Sequence, residues 1–138
     1  MTDEKAYFCS KCKTHRPVSK TLSVYKLPKI LVLHLKRFSF DSFRREKVTA
    51  PVAFKDTELS LEACYAADAE LNKSVSYDLV GVVNHMGNIN GGHYTADCFN
   101  SETQEWYNYN DANVTLVDKP RTESSSAYIL FYQQRDSK

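Results

Sequence analysis

The chain has 138 residues, an apolar share of 42%, and 18 Lys and Arg against 17 Asp and Glu, for a formal net charge of +1. This length suits one domain or a piece of a larger one, and the balanced charge without a basic block excludes a nucleic-acid surface. No apolar run approaches the roughly 20 residues that span a bilayer, and the polar start does not resemble a signal peptide, so no membrane partner is expected.

The amino-terminal segment contains a pair of cysteines, Cys9 and Cys12, in C-x2-C spacing. Such a knuckle points two thiolates at one tetrahedral metal, for which zinc is the usual choice. Structural zinc takes four protein ligands, however, and the sequence has no second C-x2-C, while His15 follows too closely for a comfortable third ligand. The spacing therefore predicts half of a zinc site, with two reduced surface cysteines as the alternative. This cysteine usage favours a reducing compartment, so we expect the cytoplasm or the nucleus.

The next segments alternate between strand-like patterns and breaks. Polar–apolar alternation predicts a strand over 18–25, and a nearly continuous apolar run predicts a strand over 30–38 that is buried on both faces, with His34 as a core histidine. The charged segment 41–47 is predicted to be an exposed loop, and 48–54, which contains Pro51, at best an edge strand. The spacing of small and apolar residues over 58–69 predicts a short amphipathic helix.

The second half of the chain is predicted to be strands joined by turns. The predicted strands are 76–85 (buried on both faces), 93–99, 106–109, 114–117 and 127–132, and 119–126 is predicted to be a loop. Many strands with one or two short helices indicate an α+β fold, mainly an antiparallel β-sheet or partial barrel.

Two glycines precede a histidine in the stretch Gly91-Gly92-His93. Without Cβ atoms the backbone can take positive φ, and another chain can approach closely. His93 opens a strand beside this bare backbone, so it is well placed to act as a base on a group lying in the groove. The alternative is a turn glycine pair followed by an ordinary strand histidine.

A catalytic histidine needs a partner that accepts its Nδ1–H and fixes its tautomer. A hairpin from His93 to Trp106 and back brings Asn110 beside His93, because the separation suits two strands of about 6 residues and a turn. Asn110 offers a neutral carbonyl oxygen and Asp111 a charged carboxylate. A neutral partner suits a thiol nucleophile, whose anion is accessible near neutral pH. The alternative interpretation of this Asn-Asp pair is a turn signal.

Six motifs occur in one collinear order: the C-x2-C pair at 9–12, the runs 27–38, 77–79, 91–96 and 127–132, and Trp106-x3-Asn110-Asp111. Together they resemble the C-terminal half of a ubiquitin-specific protease, a papain-like cysteine deubiquitinase. The resemblance covers nearly the whole chain. It implies that residues 1–138 form the C-terminal part of such a catalytic domain, with 1–20 as half of a zinc ribbon in the finger and 21–138 as the palm.

The resemblance also implies roles for individual residues. His93 would be the general base and acid, Asn110 the third member of a triad, and Asp111 a support for the same histidine or for the oxyanion region. The channel for the glycines of the ubiquitin tail would include Gly91, Gly92 and the neighbouring Tyr94, with 88–90 and 41–47 as two mobile loops near that tail. Cys9 and Cys12 would be the second half of the finger zinc site.

The family's nucleophilic cysteine, oxyanion amide and first zinc pair correspond to positions N-terminal to this chain, and neither Cys64 nor Cys98 matches the nucleophile. The sequence therefore predicts part of a thiol-dependent deubiquitinase that is inactive alone. Its expected partners are ubiquitin, ubiquitinated proteins and the N-terminal half of the catalytic domain. A non-catalytic ubiquitin-binding module is the main alternative, which the histidine, its partner and the glycine pair disfavour together. A zinc-ribbon adaptor rests on the C-x2-C alone.

Overall fold

A computed structural model describes residues 6–40, 45–67, 69 and 75–135 of the chain. Strands dominate these ranges: β1 Ala6–Cys9, β2 Thr14–Pro17, β3 Ile30–His34, β4 Phe38–Phe40, β5 Arg45–Lys47, β6 Val52–Ala53, β7 Leu59–Ser60, β8 Ser76–Asn88, β9 Gly91–Asn100, β10 Glu105–Asn110, β11 Asn113–Val117, β12 Glu123–Ser124 and β13 Ala127–Gln134. The helical content of the described part is one 3-10 turn, Glu62–Cys64. No helix there is long and apolar enough to cross a membrane.

Seven strands form the central sheet, six of them in the order β11-β10-β9-β8-β13-β3, with β7 pairing with β8 outside that series. Every pair in this sheet is antiparallel. The predicted antiparallel architecture is therefore confirmed. Three short two-stranded sheets, β1-β2, β4-β5 and β6-β12, complete the described structure.

The hydrophobic core lies against one face of this sheet. Its buried members come from β8, β10 and β13 and are Tyr77, Leu79, Val82, Trp106, Ala127, Leu130 and Tyr132. Two core tyrosines anchor the sheet to the segments that cover it: the Tyr77 hydroxyl donates to Pro28 O at 2.6 Å, and the Tyr132 hydroxyl donates to Lys55 O at 2.6 Å. Burial raises the pKa of Tyr132 to about 12, with a smaller contribution from Asp56, so its hydroxyl remains a donor.

The strand predicted over 30–38 is shorter and less buried than expected. It ends at His34, and its side chains alternate, with Ile30 and Val32 48% and 50% exposed while Leu31 and Leu33 pack on the core. The reason is that the core covers one face of the sheet, where Leu31 and Leu33 lie, and leaves the face that carries Ile30 and Val32 exposed. His34 is exposed and packs edge-on against another ring, so its assignment to the core was wrong.

Arg37 follows β3 and is 2% exposed. Its Nε donates to Ala127 O at 2.5 Å and its Nη2 to Ser124 O at 2.9 Å, while Nη1 donates to Val48 O and Ala50 O at 3.0 and 2.9 Å. The guanidinium therefore joins the chain after β5 to the end of β12 and the start of β13 through main-chain oxygens.

Four further predictions were wrong in their local structure. The 58–69 helix is one 3-10 turn because Leu59–Ser60 instead pairs with β8; residue 68 lies outside the described residues. The 18–25 strand reduces to a single parallel bridge, Val24 to Tyr65, because no other strand pairs with it in the described part of the chain. The predicted loops 119–126 and 41–47 contain β12 and β5, and residues 41–44 lie outside the described ranges.

Candidate active site

Two adjacent hairpins carry the predicted catalytic residues. β8 and β9 are joined by a turn at 89–90, and β9 places His93 opposite Met86. β10 pairs with β9 in the register Tyr109 to Ala96, which brings Asn110, the last residue of β10, to the face of the sheet that carries His93. Asp111 follows in the turn to β11 with φ 52°, a left-handed conformation that Asp tolerates.

The structure brings this histidine and its expected partner together. The distance from His93 Nε2 to Asn110 Oδ1 is 2.6 Å, and that from His93 Nε2 to Asp111 Oδ2 is 3.9 Å. The predicted hydrogen-bond contact is confirmed, but the expected nitrogen was wrong. Because Asn110 arrives from the neighbouring strand, it meets the nitrogen farther from the His93 backbone. In the neutral ring, Nε2 therefore carries the proton and Nδ1 keeps its lone pair.

The two adjacent glycines differ in their surroundings. A Cβ on Gly92 would overlap His85 Nε2 and Met86 O, whereas a Cβ on Gly91 would meet no described atom within 4 Å. Among the four glycines only Gly87 has positive φ, at 112°, so this pair does not use the positive φ that glycine permits. Close approach is the reason for glycine at position 92, and the approaching group is a side chain of the same hairpin.

That side chain, His85, is a site residue that the sequence analysis missed. It is 3% exposed and packs against Tyr94 and Phe38, with ring centroids 4.7 and 5.2 Å away. Burial lowers the pKa of His85, as does, to a smaller extent, the Lys47 ammonium. Its Nδ1 has no hydrogen-bond partner among the described residues. A neutral ring thus fills the space beneath Gly92.

Tyr94 lies beside a cleft next to this ring. Its side chain is 51% exposed and 6.1 Å from Tyr128 between ring centroids. The cleft, of about 450 Å³, is lined by His34, Lys36, Phe38, Ile89, Tyr94 and Tyr128, among others. Its lining combines the aromatic rings of Phe38, Tyr94 and Tyr128 with two cationic side chains, and it includes Ile89 of the β8–β9 turn.

A polar network crosses three strands on the face that carries His93. Asp97 of β9 accepts from Asn108 Nδ2 at 2.6 Å and from Asn84 Nδ2 at 2.8 Å, and Asn84 Oδ1 accepts from the Ser126 hydroxyl at 3.1 Å. These bonds tie β9 to both neighbours and thereby stabilise the register that places His93 near Asn110.

Cys98 and Cys64 are the two cysteines outside the C-x2-C pair. Cys98 lies five residues after His93 on the same strand, so its side chain points to the opposite face. Burial, followed by Asp97, raises the pKa of the Cys98 thiol, which disfavours the nucleophilic thiolate. Cys64 is exposed in the 3-10 turn.

The C-x2-C pair lies on the β1–β2 hairpin. Cys9 O accepts from Lys13 N at 2.8 Å, and Lys13 has φ 55°, so the knuckle closes tightly. Cys12 Sγ lies 3.4 Å from Thr14 Oγ1, and hydrogen bonds from Thr14 and then Cys9 lower the pKa of the Cys12 thiol. Two neighbouring thiols, one of which has a lowered pKa and so deprotonates more readily, suit two of the four ligand positions of a zinc site. No cluster of three or more potential metal ligands occurs in the described part, so zinc stays a prediction.

The sheet and its connections are those of papain-like ubiquitin-protease catalytic domains. The chain is similar to Ubp8 in the SAGA DUB module bound to ubiquitin aldehyde, with a TM-score of 0.77 and 29% identity over 99% of this chain and 31% of that one. It is also similar to a Ubp8 variant in the module bound to monoubiquitin, with a TM-score of 0.79 and 30% identity over 99% of this chain and 30% of that one.

The family model "ubiquitin carboxyl-terminal hydrolase" matches residues 3–132, and the chain belongs to that family. It is 39% identical over 130 residues to ubiquitin carboxyl-terminal hydrolase 4 of Bos taurus, covering 94% of this chain and 13% of the relative. It is 35% identical over 137 residues to ubiquitin carboxyl-terminal hydrolase 15 of Homo sapiens, covering 97% of this chain and 14% of the relative. The chain thus spans 13% and 14% of the length of these relatives.

Proposed function

We propose that the chain is the histidine-bearing part of a thiol-dependent deubiquitinase, which hydrolyses peptide and isopeptide bonds at the C-terminus of ubiquitin. The observation that carries the proposal is the 2.6 Å contact between His93 Nε2 and Asn110 Oδ1, which leaves Nδ1 available for a proton. Family membership and the likeness to ubiquitin-bound Ubp8 support ubiquitin as the partner. The nucleophile would come from the N-terminal half of the catalytic domain, so this chain would be inactive alone.

In the proposed mechanism, the thiol of the missing half gives its proton to His93 Nδ1, and the thiolate attacks the carbonyl carbon of the scissile bond. The protonated ring gives that proton to the leaving amine, which departs and leaves a thioester. His93 then takes a proton from water, whose oxygen attacks the thioester carbonyl carbon, and the C–S bond breaks. The ring returns that proton to the departing sulfur, which restores the thiol, and the carboxylic acid product loses its own proton to solvent. Asn110 holds the ring through Nε2–H, and the Asp111 carboxylate at 3.9 Å stabilises the transient positive charge.

The substrate tail would lie along the β8–β9 turn and the aromatic cleft. Gly91 offers bare backbone with open space beside it, Gly92 lets the turn pack on His85, and Tyr94 supplies an exposed aromatic wall. An extended glycine-rich peptide suits such a narrow approach because neither chain has side chains that collide there. Ubiquitinated proteins would be the substrates.

The separate sheets support the proposed domain division. The β1–β2 hairpin is a two-stranded sheet separate from the central one, which supports residues 1–20 as half of a zinc ribbon and 21–138 as the palm. Zinc held by Cys9 and Cys12 together with two ligands of the N-terminal half would join the two parts of the domain. The four free thiols fit a reducing compartment, the cytoplasm or the nucleus.

The test is hydrolysis of a fluorogenic ubiquitin-amide reporter by the chain alone and after mixing with a cysteine-bearing N-terminal half. We expect no turnover by the chain alone, turnover by the mixture, and loss of that turnover in His93→Ala but not in His15→Ala, an exposed histidine on β2 that lies outside the cleft. Full activity of the His93→Ala mixture would end the hydrolase proposal. Steady turnover by the chain alone that disappears in Cys98→Ser would show that the nucleophile was misassigned, and ubiquitin binding without turnover in the mixture would favour the binding module.

A further inference from the structure

The β8–β9 hairpin that carries His93 is only partly paired with β13, the strand that neighbours β8 in the sheet. β13 begins at Ala127, opposite Asn84, and therefore leaves the following residues of β8 without a strand partner on that edge. His85 N–H on this edge is satisfied by Ser126 O at 2.9 Å. The carbonyls of His85 and Gly87 point the same way, since alternate residues of a strand share an edge, and they lie beyond the reach of β13.

A single side chain donates hydrogen bonds to both of these carbonyl oxygens. Lys47, the last residue of β5, places Nζ 2.7 Å from His85 O and 3.1 Å from Gly87 O. An ammonium has rotatable donors on a flexible stem, so one lysine can bridge two acceptors on the same strand edge. Such charge-assisted bonds are stronger than those between neutral groups.

The β4–β5 hairpin, which carries Lys47, also contacts the side chain of His85. Phe38 of β4 pairs with Lys47 across the β4–β5 ladder, and its ring meets the His85 ring edge-on, with centroids 5.2 Å apart at 72°. Residue 85 is thus held through its carbonyl by Lys47 and through its ring by Phe38. The β4–β5 hairpin therefore fixes one arm of the hairpin that carries His93.

We propose that Lys47 is a positioning residue for the His93–Asn110 pair. The two carbonyls that it binds flank Met86, which lies directly opposite His93, and Gly87 lies opposite Gly92. Asn110 belongs to the other neighbour of β9, where the β10–β11 ladder holds it independently of Lys47. Loss of the ammonium would let the β8 arm twist while Asn110 stays in place, so the bond between the two side chains would lengthen. Lys47 makes no contact with reacting atoms in this scheme.

The inference about catalysis rests on the proposed function, but the geometric part does not, so the test has two arms. The first uses the 138-residue chain and compares Lys47→Met with Arg45→Met, which removes the same charge from the same strand at an exposed side chain. By NMR, the nuclear Overhauser effect between the His93 ring and the Asn110 side-chain amide should fall by more than half in Lys47→Met and stay unchanged in Arg45→Met. If Lys47→Met does not fold, Lys47→Gln, which keeps one amide donor group, takes its place.

The second arm measures turnover of the ubiquitin-amide reporter by the complete catalytic domain. Misplacing the base should lower kcat by about 10–100-fold in Lys47→Met while KM changes by less than about threefold. A lower melting temperature with unchanged nuclear Overhauser effect and unchanged kcat would show a merely structural lysine and overturn the proposal. An inactive wild-type domain would instead refute the proposed function, and the first arm would still decide whether Lys47 positions the histidine.

Discussion

Replacing Gly92 by alanine puts a methyl group where the molecule has no room for one. Its Cβ would overlap His85 Nε2 and Met86 O and lie 2.8 Å from His85 Cε1. To restore van der Waals separation, the His85 ring would have to retreat by about 1 Å. That ring is buried against Tyr94 and Phe38, so the movement is opposed by close packing. We therefore expect Gly92→Ala to lower the free energy of unfolding by about 1–3 kcal/mol, the usual range for overpacking.

The neighbouring glycine provides the matched control. Gly91→Ala adds the same methyl group to open space and should change stability by no more than about 0.5 kcal/mol. The assay is urea unfolding of the chain, followed by the fluorescence of Trp106, its only tryptophan. With a slope of about 1–3 kcal/mol per M, a loss of about 2 kcal/mol moves the midpoint by roughly 1 M.

A double-mutant cycle identifies the colliding group. Adding His85→Ala should relieve part of the overlap, so the cost of Gly92→Ala should be smaller in that background. Equal effects of the two glycine substitutions, or a Gly92→Ala chain as stable as wild type, would refute the steric reasoning.

Three other predictions concern catalysis, pH and metal. In the reconstituted domain, His93→Ala should reduce turnover by about 10²–10⁴-fold, and Asn110→Ala less, because the neutral amide orients the ring without supplying charge; a larger loss in Asp111→Ala than in Asn110→Ala would move the orienting role by one residue. Because burial lowers the pKa of His85 in the folded chain, the unfolded chain binds a proton below about pH 6.5 that the folded chain refuses. Stability should therefore be complete above that pH and fall as the pH drops toward the folded-state value, a slope that His85→Phe should remove from urea titrations. The chain alone should lack one tightly held zinc per monomer by elemental analysis, because Cys9 and Cys12 supply two of four ligands; a stoichiometric zinc in a monomer would contradict this.

The part of the site that local rules govern was predictable from the sequence. The contact between His93 and Asn110 follows from the length of one hairpin and the alternation of its two strands, and both are local properties. The nitrogen involved was not predictable, because it depends on the side from which Asn110 reaches the ring. The roles of His85 and Lys47 depend on a contact between residues 38 positions apart, which no periodicity signals.

The wrong helix has a comparable cause. Small and apolar residues over 58–69 satisfy helical spacing, but a free edge of β8 is available to Leu59–Ser60, and pairing there overrides weak local preference. The burial predicted for both faces of the strand over 30–38 was wrong because a continuous apolar run does not show how many faces of the sheet are covered.

The contacts of Arg37 bear on the order in which the chain folds. Two of its carbonyl partners lie 11 and 13 residues away, but the other two lie 87 and 90 residues away, in the last part of the described chain. A guanidinium buried with half of its acceptors missing would be costly, so this site closes only when the final strand has docked. Arg37 therefore obtains its full set of acceptors only after the segment that contains Ser124 and Ala127 has docked. Closing such a long loop slows folding. During synthesis on the ribosome, the segment around Arg37 stays hydrated until β13 has emerged.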